Sequence, residues 1–323
     1  MTSEGSLSSV FAVLLFGVIW PVATGCHGDS VCSTPYVVEV DAFGLEVALA
    51  DGELSGAECD LLCEDGASAD SDAESDTGEP RFSARQIVGC SKIKDRQDVL
   101  SCKIQNCDYG RRPEGLRSVG RASGNNVLAR WFAEAAHLEA ASVFAFHRLA
   151  HALTVHSAPD ILVKRAMDAA DDEHRHARTM ADLAARFGGT PAAVELAEVD
   201  VPDLLTLARM NAVEGCVGET WSALALQHQA HVAHDPGICT VLAEIAADET
   251  RHAELAWDID AWLRTRLSED DNAVVARAHA DAWSRLREGL SASPDDARLQ
   301  SIGVPRLSTA LTLHAGLRQA LPA

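Results

Sequence analysis

The hexapeptide Asp-Glu-x-Arg-His-Ala occurs twice in the chain, at residues 172–177 and again at 248–253. In each copy the Glu and the His are three residues apart: Glu173 with His176, and Glu249 with His252. On a helix that spacing puts both side chains on one face, one turn apart. A carboxylate beside an imidazole is half of a divalent-metal site. A solvated pair on a helix surface would explain one copy, but a duplicated pair with matching surroundings argues for a shared site.

The duplication reaches upstream. Glu139-Ala140-Ala141-Ser142-Val143-Phe144-Ala145-Phe146 aligns with Glu219-Thr220-Trp221-Ser222-Ala223-Leu224-Ala225-Leu226. Glu139 lies 34 residues before Glu173, and Glu219 lies 30 before Glu249, a difference that loop length absorbs. At about 100° per residue, Glu139 falls on a stripe with Leu128, Phe132, Ala135, Val143, Phe146 and Leu153. Glu219 falls among Ala212, Cys216, Ala223, Leu226 and Ala230. Glu173 and His176 sit among Ala166, Ala169, Ala170, Ala177 and Met180. Glu249 and His252 sit among Leu242, Ile245, Ala246, Ala253 and Ala256.

All four segments therefore aim carboxylates at their own apolar side. Burying one unpaired carboxylate costs on the order of several kcal/mol, so four need compensation. Two divalent ions carry as much positive charge as four Glu carry negative, and neutral His ligands add none. Oxygen and imidazole donors with open positions suit iron or manganese, with zinc as a further candidate.

The stretch 126–267 resembles the ferritin-like di-iron carboxylate superfamily, whose ligands are one Glu from each of two helices and Glu-x-x-His from each of two others. The Asp-Glu-x-Arg-His wording, twice, is similar to the motif of bacterial multicomponent monooxygenase hydroxylases. The resemblance implies two iron ions, with manganese as the alternative. Glu139, Glu173 and His176 would hold one ion and Glu219, Glu249 and His252 the other, some Glu bridging. It implies that Asp172 and Asp248 stand behind the ligand His residues, and the spacing of Asp172 and His176 allows that hydrogen bond along one helix. Arg175 and Arg251 would neutralise that outer layer. No rubredoxin-like four-Cys site is present. The chain is most similar to exported ferritin-like proteins with a Cys-rich N-terminal extension. The implied activity is a reaction with dioxygen or peroxide, fed by an electron donor that no motif identifies. The alternative is a non-enzymatic metal-binding or iron-handling protein of the envelope.

The elements that position these residues are helices. Ala and Leu dominate the second half, and aromatics are only 5% of the chain. The first helix is expected over 126–156. The second runs to Phe187, capped by Asp160 and stopped at Gly188-Gly189. The third runs from about Asp203 to His234, and the fourth from Pro236 to Leu267. Two tight hairpins joined by one long connection is ferritin-like connectivity. A fifth helix over 271–290 buries Val275, Ala278, Ala282 and Leu286, and a short one covers 307–321. The expected fold is all-α: a ferritin-like four-helix bundle with additional C-terminal helices, preceded by a small Cys-rich region.

Glu134 and Glu214 lie five residues before Glu139 and Glu219, about 140° round an α-helix, and point elsewhere; Glu214, beside Met210, Val217 and Trp221, keeps an extra-ligand role open, with helix–helix packing as the alternative. The other His residues (137, 147, 151, 156, 228, 231 and 234) read as surface or packing groups. Cys216 and Cys239 are too far apart along an antiparallel hairpin to pair.

The N-terminal part reads differently. Val10–Ala23 is apolar and of signal-peptide length. It is followed by Thr24-Gly25-Cys26, which looks like a lipoprotein cleavage site, so residues 1–26 are expected to be a lipoprotein-type signal peptide. The implied location is the bacterial cell envelope, anchored by a lipid on Cys26; a buried N-terminal helix is the bland alternative. Residues 27–110 hold Cys32, Cys59, Cys63, Cys90, Cys102 and Cys107. In an oxidising compartment these suggest up to three disulfides, while Cys59-x3-Cys63 and Cys102-x4-Cys107 keep zinc open. A short strand is expected at 36–40 and a short helix at 55–62. Residues 66–80 are low-complexity, acidic and expected to be disordered. Residues 111–125 read as a linker, 126–267 as the bundle and 268–323 as C-terminal helices. The net charge of −21, with no basic patch, excludes nucleic acid as a partner.

Overall fold

In the computed structural model, residues 111–113, 115–117, 122–290 and 296–321 are described, with the backbone of three strands and the single residue Leu7. The expectations for the signal peptide, the 55–62 helix, the 66–80 loop and the side chains of the cysteines of 27–110 lie outside the described residues. Among the described residues no helix is long and apolar enough to cross a membrane.

The chain divides into two compact units, residues 27–107 with 291–293, and the remainder. The first contains a three-stranded antiparallel sheet: β1 (Pro35–Glu39), β2 (Gln86–Lys92) and β3 (Val99–Gln105), with β3 in the centre. Val37 stands opposite Ser101, and Cys90 opposite Cys102. Only β1 was legible as a strand. The register of β2 shifts between Ile87 and Gly89, and such a bulge breaks the two-residue alternation that marks a strand.

The second unit is built mostly of helices. Before them come β4 (Leu116–Arg117) and β5 (Ser123–Gly124). Helix α1 (Val127–Val155) begins where the extended Asn126 accepts a hydrogen bond from Ala129 N through its side chain. Helix α2 (Asp160–Phe187) is preceded by Pro159. Asp160 lies inside the first turn rather than capping it, where its charge favours the helix N-terminus. Gly188, at φ 82°, ends α2 in the left-handed conformation that glycine adopts without strain. The α2–α3 connection carries β6 (Gly189–Thr190), paired with β5, and β7 (Glu195–Leu196), paired with β4. Two short pieces of the stretch read as a linker, Leu116–Arg117 and Ser123–Gly124, thus pair with this connection.

Helix α3 has three parts. Asp203 caps an α-helical start, Leu204–Met210, by accepting from Thr206 N. The chain then widens to a π-helix over Asn211–Glu219 and returns to α over Thr220–Val232. Helix α4 (Pro236–Arg264) has Pro at its first position and Asp235 accepting from Gly237 N and Ile238 N. Helices α5 (Glu269–Leu290), α6 (Ala297–Ser301) and α7 (Leu307–Ala320) complete the unit. The sequence showed no periodic signal for the five-residue α6.

Helix α1 packs along α2, the Thr220–Val232 part of α3 packs along α4, and α2 packs against α4. The apolar core at one end joins Phe146, Leu153, Leu162, Ala166, Leu255 and Ile259. At the other end it joins Phe132, Ala136, Met180, Leu183, Leu242 and Ile245. The outer side of α3 is covered by α5 and α7 through Trp221, Leu224, Trp283, Leu313 and Leu317. That cover buries α3 nearly all round, so no single stripe describes it. The polar residues singled out by the repeat fall between the two apolar ends.

Candidate metal centre

The helices bring the six expected side chains together. Glu139 comes from α1, Glu173 and His176 from α2, Glu219 from the end of the π segment of α3, and Glu249 and His252 from α4. Their donor atoms form two groups, each within 4.8 Å: Glu139, Glu173, His176 and Glu249, and then Glu219, Glu249 and His252. These groups could hold a metal ion. His176 Nδ1 lies 3.6 Å from Glu139, 3.9 Å from Glu173 and 3.4 Å from Glu249. His252 Nδ1 lies 3.0 Å from Glu173 and 3.6 Å from Glu249. Glu173 and Glu249 therefore each face both imidazoles, whose ring centres are 6.0 Å apart. Glu139 is the most exposed of the four carboxylates, with 16% of its side chain open to solvent.

The two Asp residues are crossed. Asp248, on α4, accepts at 2.9 Å from Nε2 of His176 on α2. Asp172, on α2, lies 3.3 Å from Nε2 of His252 on α4. Pairing of Asp172 with His176 along one helix, which the spacing allowed, is not what the fold makes. Side chains at i and i+4 share a face, but here each imidazole points across to the facing helix. Arg175 and Arg251 close the layer. Arg175 Nη2 bonds Asp172 at 2.6 Å and Asp248 at 3.0 Å, and Arg251 Nη2 bonds Asp248 at 2.6 Å and Asp172 at 3.0 Å. Each repeat thus holds the histidine of the other.

The crossing fixes the imidazole tautomer. With Nε2–H donated to a carboxylate, Nδ1 keeps its lone pair for the interior, the arrangement of a metal-ligating His. The interior atoms lack other partners: His176 Nδ1, His252 Nδ1, Glu173 Oε2 and both Glu219 oxygens are buried without a hydrogen bond. Orphaned donors and acceptors that converge on one place fit a divalent ion, since buried polar atoms are otherwise satisfied.

Electrostatics without metal supports the same reading. Burial pushes the Glu173 carboxyl well up, reinforced by Glu249 and Glu139. Burial does the same to Glu219, reinforced by Glu249. For His176 burial works downward, but the carboxylates of Glu139 and Glu249 facing its Nδ1 outweigh it and the imidazole is pushed up to about 11. His252 is raised against its burial by Asp172, Glu173 and Glu249. Glu249 goes the other way, held low against its burial by the two imidazoles. Asp172 is also held low against its burial, by His252 and Arg175. Protons thus supply the positive charge that a metal would supply.

One buried group beside the site escaped the sequence reading. Arg111 is 3% exposed. Its Nε lies 3.5 Å from Glu219, its Nη2 donates to Asn211 at 2.8 Å, and its guanidinium lies 5.2 Å from the centre of the Phe146 ring. No helical period reaches residue 111, so nothing in the sequence pattern marked it. Glu214 is 8% exposed. It lies in the π segment of α3 and joins neither group of donor atoms. Glu134 is half-buried on regular α-helix and joins neither group.

The remaining candidates fall outside the centre. His137 is buried and meets Ala192 O at 3.1 Å, and His156 meets Pro202 O at 2.7 Å, so both pack. His147 and His151 are exposed. Cys216 and Cys239 are free thiols. No protein-family model, curated protein or solved structure matches the chain.

Proposed function

We propose that the chain is a ferritin-like di-metal carboxylate protein, its α1–α4 forming the four-helix bundle and its centre holding two iron ions that react with dioxygen or peroxide. The observation that carries this reading is the crossed pair of Asp–His hydrogen bonds, which leaves both Nδ1 atoms facing the shared carboxylates of Glu173 and Glu249. Glu139, Glu173, His176 and Glu249 would hold one ion. Glu219, Glu249 and His252 would hold the other, with Glu173 and Glu249 placed to bridge. Bound there, iron would supply the electrons and the Lewis acidity for reducing an oxidant.

The chain's own residues do the rest. The crossed Asp residues orient the imidazoles and keep Nδ1 free of protons once metal is present. Phe146 and Phe132, with the Ala-rich faces around them, exclude water from both ends of the centre. The part-exposed Glu139 marks the solvent side, where a small oxidant would enter. The apolar segment before Cys26 favours export and a lipid on that residue, which would place the protein in the bacterial cell envelope.

The test is metal analysis of the purified full-length protein, followed by peroxide addition. About two iron per chain, with an absorption change on adding peroxide, is the expected result. Bound metal without any redox response would replace the oxidant reaction with metal handling. Absence of any metal after loading with iron(II) or manganese(II) would refute the centre itself.

A further inference from the structure

The two metal positions differ in what surrounds them. The first offers donor atoms from four residues, Glu139, Glu173, His176 and Glu249. The second offers three, Glu219, Glu249 and His252. Among the described residues, the buried cation that pairs with a ligand carboxylate stands at the second. Arg111 approaches Glu219 to 3.5 Å, and the Phe146 ring it lies over is 5.0 Å from the ring of His252.

The chain builds a socket for this guanidinium. Asn211, fully buried, accepts from Arg111 Nη2 and donates to Ala256 O at 2.9 Å. Ser142 donates to the Arg111 carbonyl at 2.7 Å. Gly215 leaves the space: a Cβ there would stand 2.7 Å from Ala256 Cβ and 2.9 Å from Asn211 Oδ1, and would strike Arg111 Nη2. The π segment carries Asn211, Gly215 and Glu219 together, so the irregular turn of α3 is what brings socket and carboxylate into one place.

We propose that Arg111 is a positioning residue that makes the two metal positions unequal, holding Glu219 and weakening the second position so that the centre fills in order. The inference rests on the metal-centre reading above. A cation beside a ligand carboxylate repels an incoming divalent ion and competes for the carboxylate's oxygens. The first position has neither handicap and one more donor residue. The singly loaded protein is therefore a stable species, and the second ion is the exchangeable one.

The test is titration of the full-length, metal-free protein with Mn(II), the free ion being counted by its EPR signal. The wild type is expected to show two affinities separated by about tenfold or more. Arg111→Met is expected to tighten the second site and narrow the gap, and Arg111→Lys, which keeps the charge, is expected to retain it. His252→Ala is expected to spare the tight site and His176→Ala to remove it. Far-UV circular dichroism checks folding of each variant, and the wild-type gap stands as a test even where a variant does not fold. Two equal affinities in the wild type, or a parallel weakening of both sites in a folded Arg111→Met protein, would overturn the proposal. Absence of Mn(II) binding by the wild type would instead refute the metal-centre reading, and the inference with it.

Discussion

Replacing Asp248 by Asn separates the crossed architecture from any arrangement in which each repeat serves its own histidine. Asp248 shares α4 with His252, four residues away, yet it bonds Nε2 of His176 on α2 at 2.9 Å. The amide keeps the size of the carboxylate but loses its charge, so it is a weaker acceptor for Nε2–H. His176 Nδ1 then becomes a poorer donor to metal. Loss of such a supporting carboxylate typically lowers metal affinity by roughly 10–100-fold, or about 1.4–2.7 kcal/mol. The damage should fall on the position built from Glu139, Glu173, His176 and Glu249. The layer itself should persist, because Arg175 and Arg251 both still pair with Asp172. The assay is a Mn(II) titration of wild type, Asp248→Asn, His176→Ala, His252→Ala and the two double variants that combine Asp248→Asn with each His change. Asp248→Asn should add little to His176→Ala but act fully on top of His252→Ala. The reverse pattern, with Asp248 coupled to His252, would refute the crossed pairing and the site geometry derived from it.

Other outcomes follow from the same structure. In the metal-free protein His176 titrates at about 11 rather than 6.5, so the stability it contributes is complete below the ordinary imidazole range and is lost as pH rises toward 11. The raised carboxyls of Glu173 and Glu219 act with the same sign, while the lowered Glu249 matters only below its ordinary range. Calorimetry should therefore show the metal-free Tm falling between about pH 6 and 9, and the gain in Tm on adding metal growing over that window, with protons released into the buffer; a gain that shrinks with pH would contradict this. Asp235→Ala removes the cap that receives Gly237 N and Ile238 N, and also the ion pair with Arg186. It should cost about 1 kcal/mol in denaturant unfolding while leaving metal stoichiometry unchanged, because α4 carries Glu249 and His252 about four turns or more further on.

The helices were legible because their signals are local. Asn126, Asp203, Asp235 and Gly188 each mark a boundary by their own chemistry, and the Ala-rich faces of α1 and α2 keep one period throughout. The six candidate ligands were legible because a duplicated motif leaves a spacing in the sequence that chance pairs do not. What escaped lies in relations between elements. Which Asp meets which His depends on how α2 faces α4, and the i,i+4 spacing pointed to the wrong partner. The π turn at Asn211–Glu219 escaped because a fixed rotation per residue cannot foresee it. Arg111 escaped because it lies before the first helix and is drawn inward by Asn211, Ser142 and the gap at Gly215, none of which is near it in sequence. The strands β2 and β3 escaped because a bulge and their Gly, Ser and Lys residues blur the alternation.

Anomalous diffraction from crystals of the iron-loaded protein, measured on both sides of the iron edge, tests the central claim most directly. The account predicts two iron peaks inside the helical unit, one beside His176 Nδ1 and one beside His252 Nδ1, with Glu173 and Glu249 within reach of both. Empty density among the six side chains, or iron bound only at surface carboxylates, would contradict it.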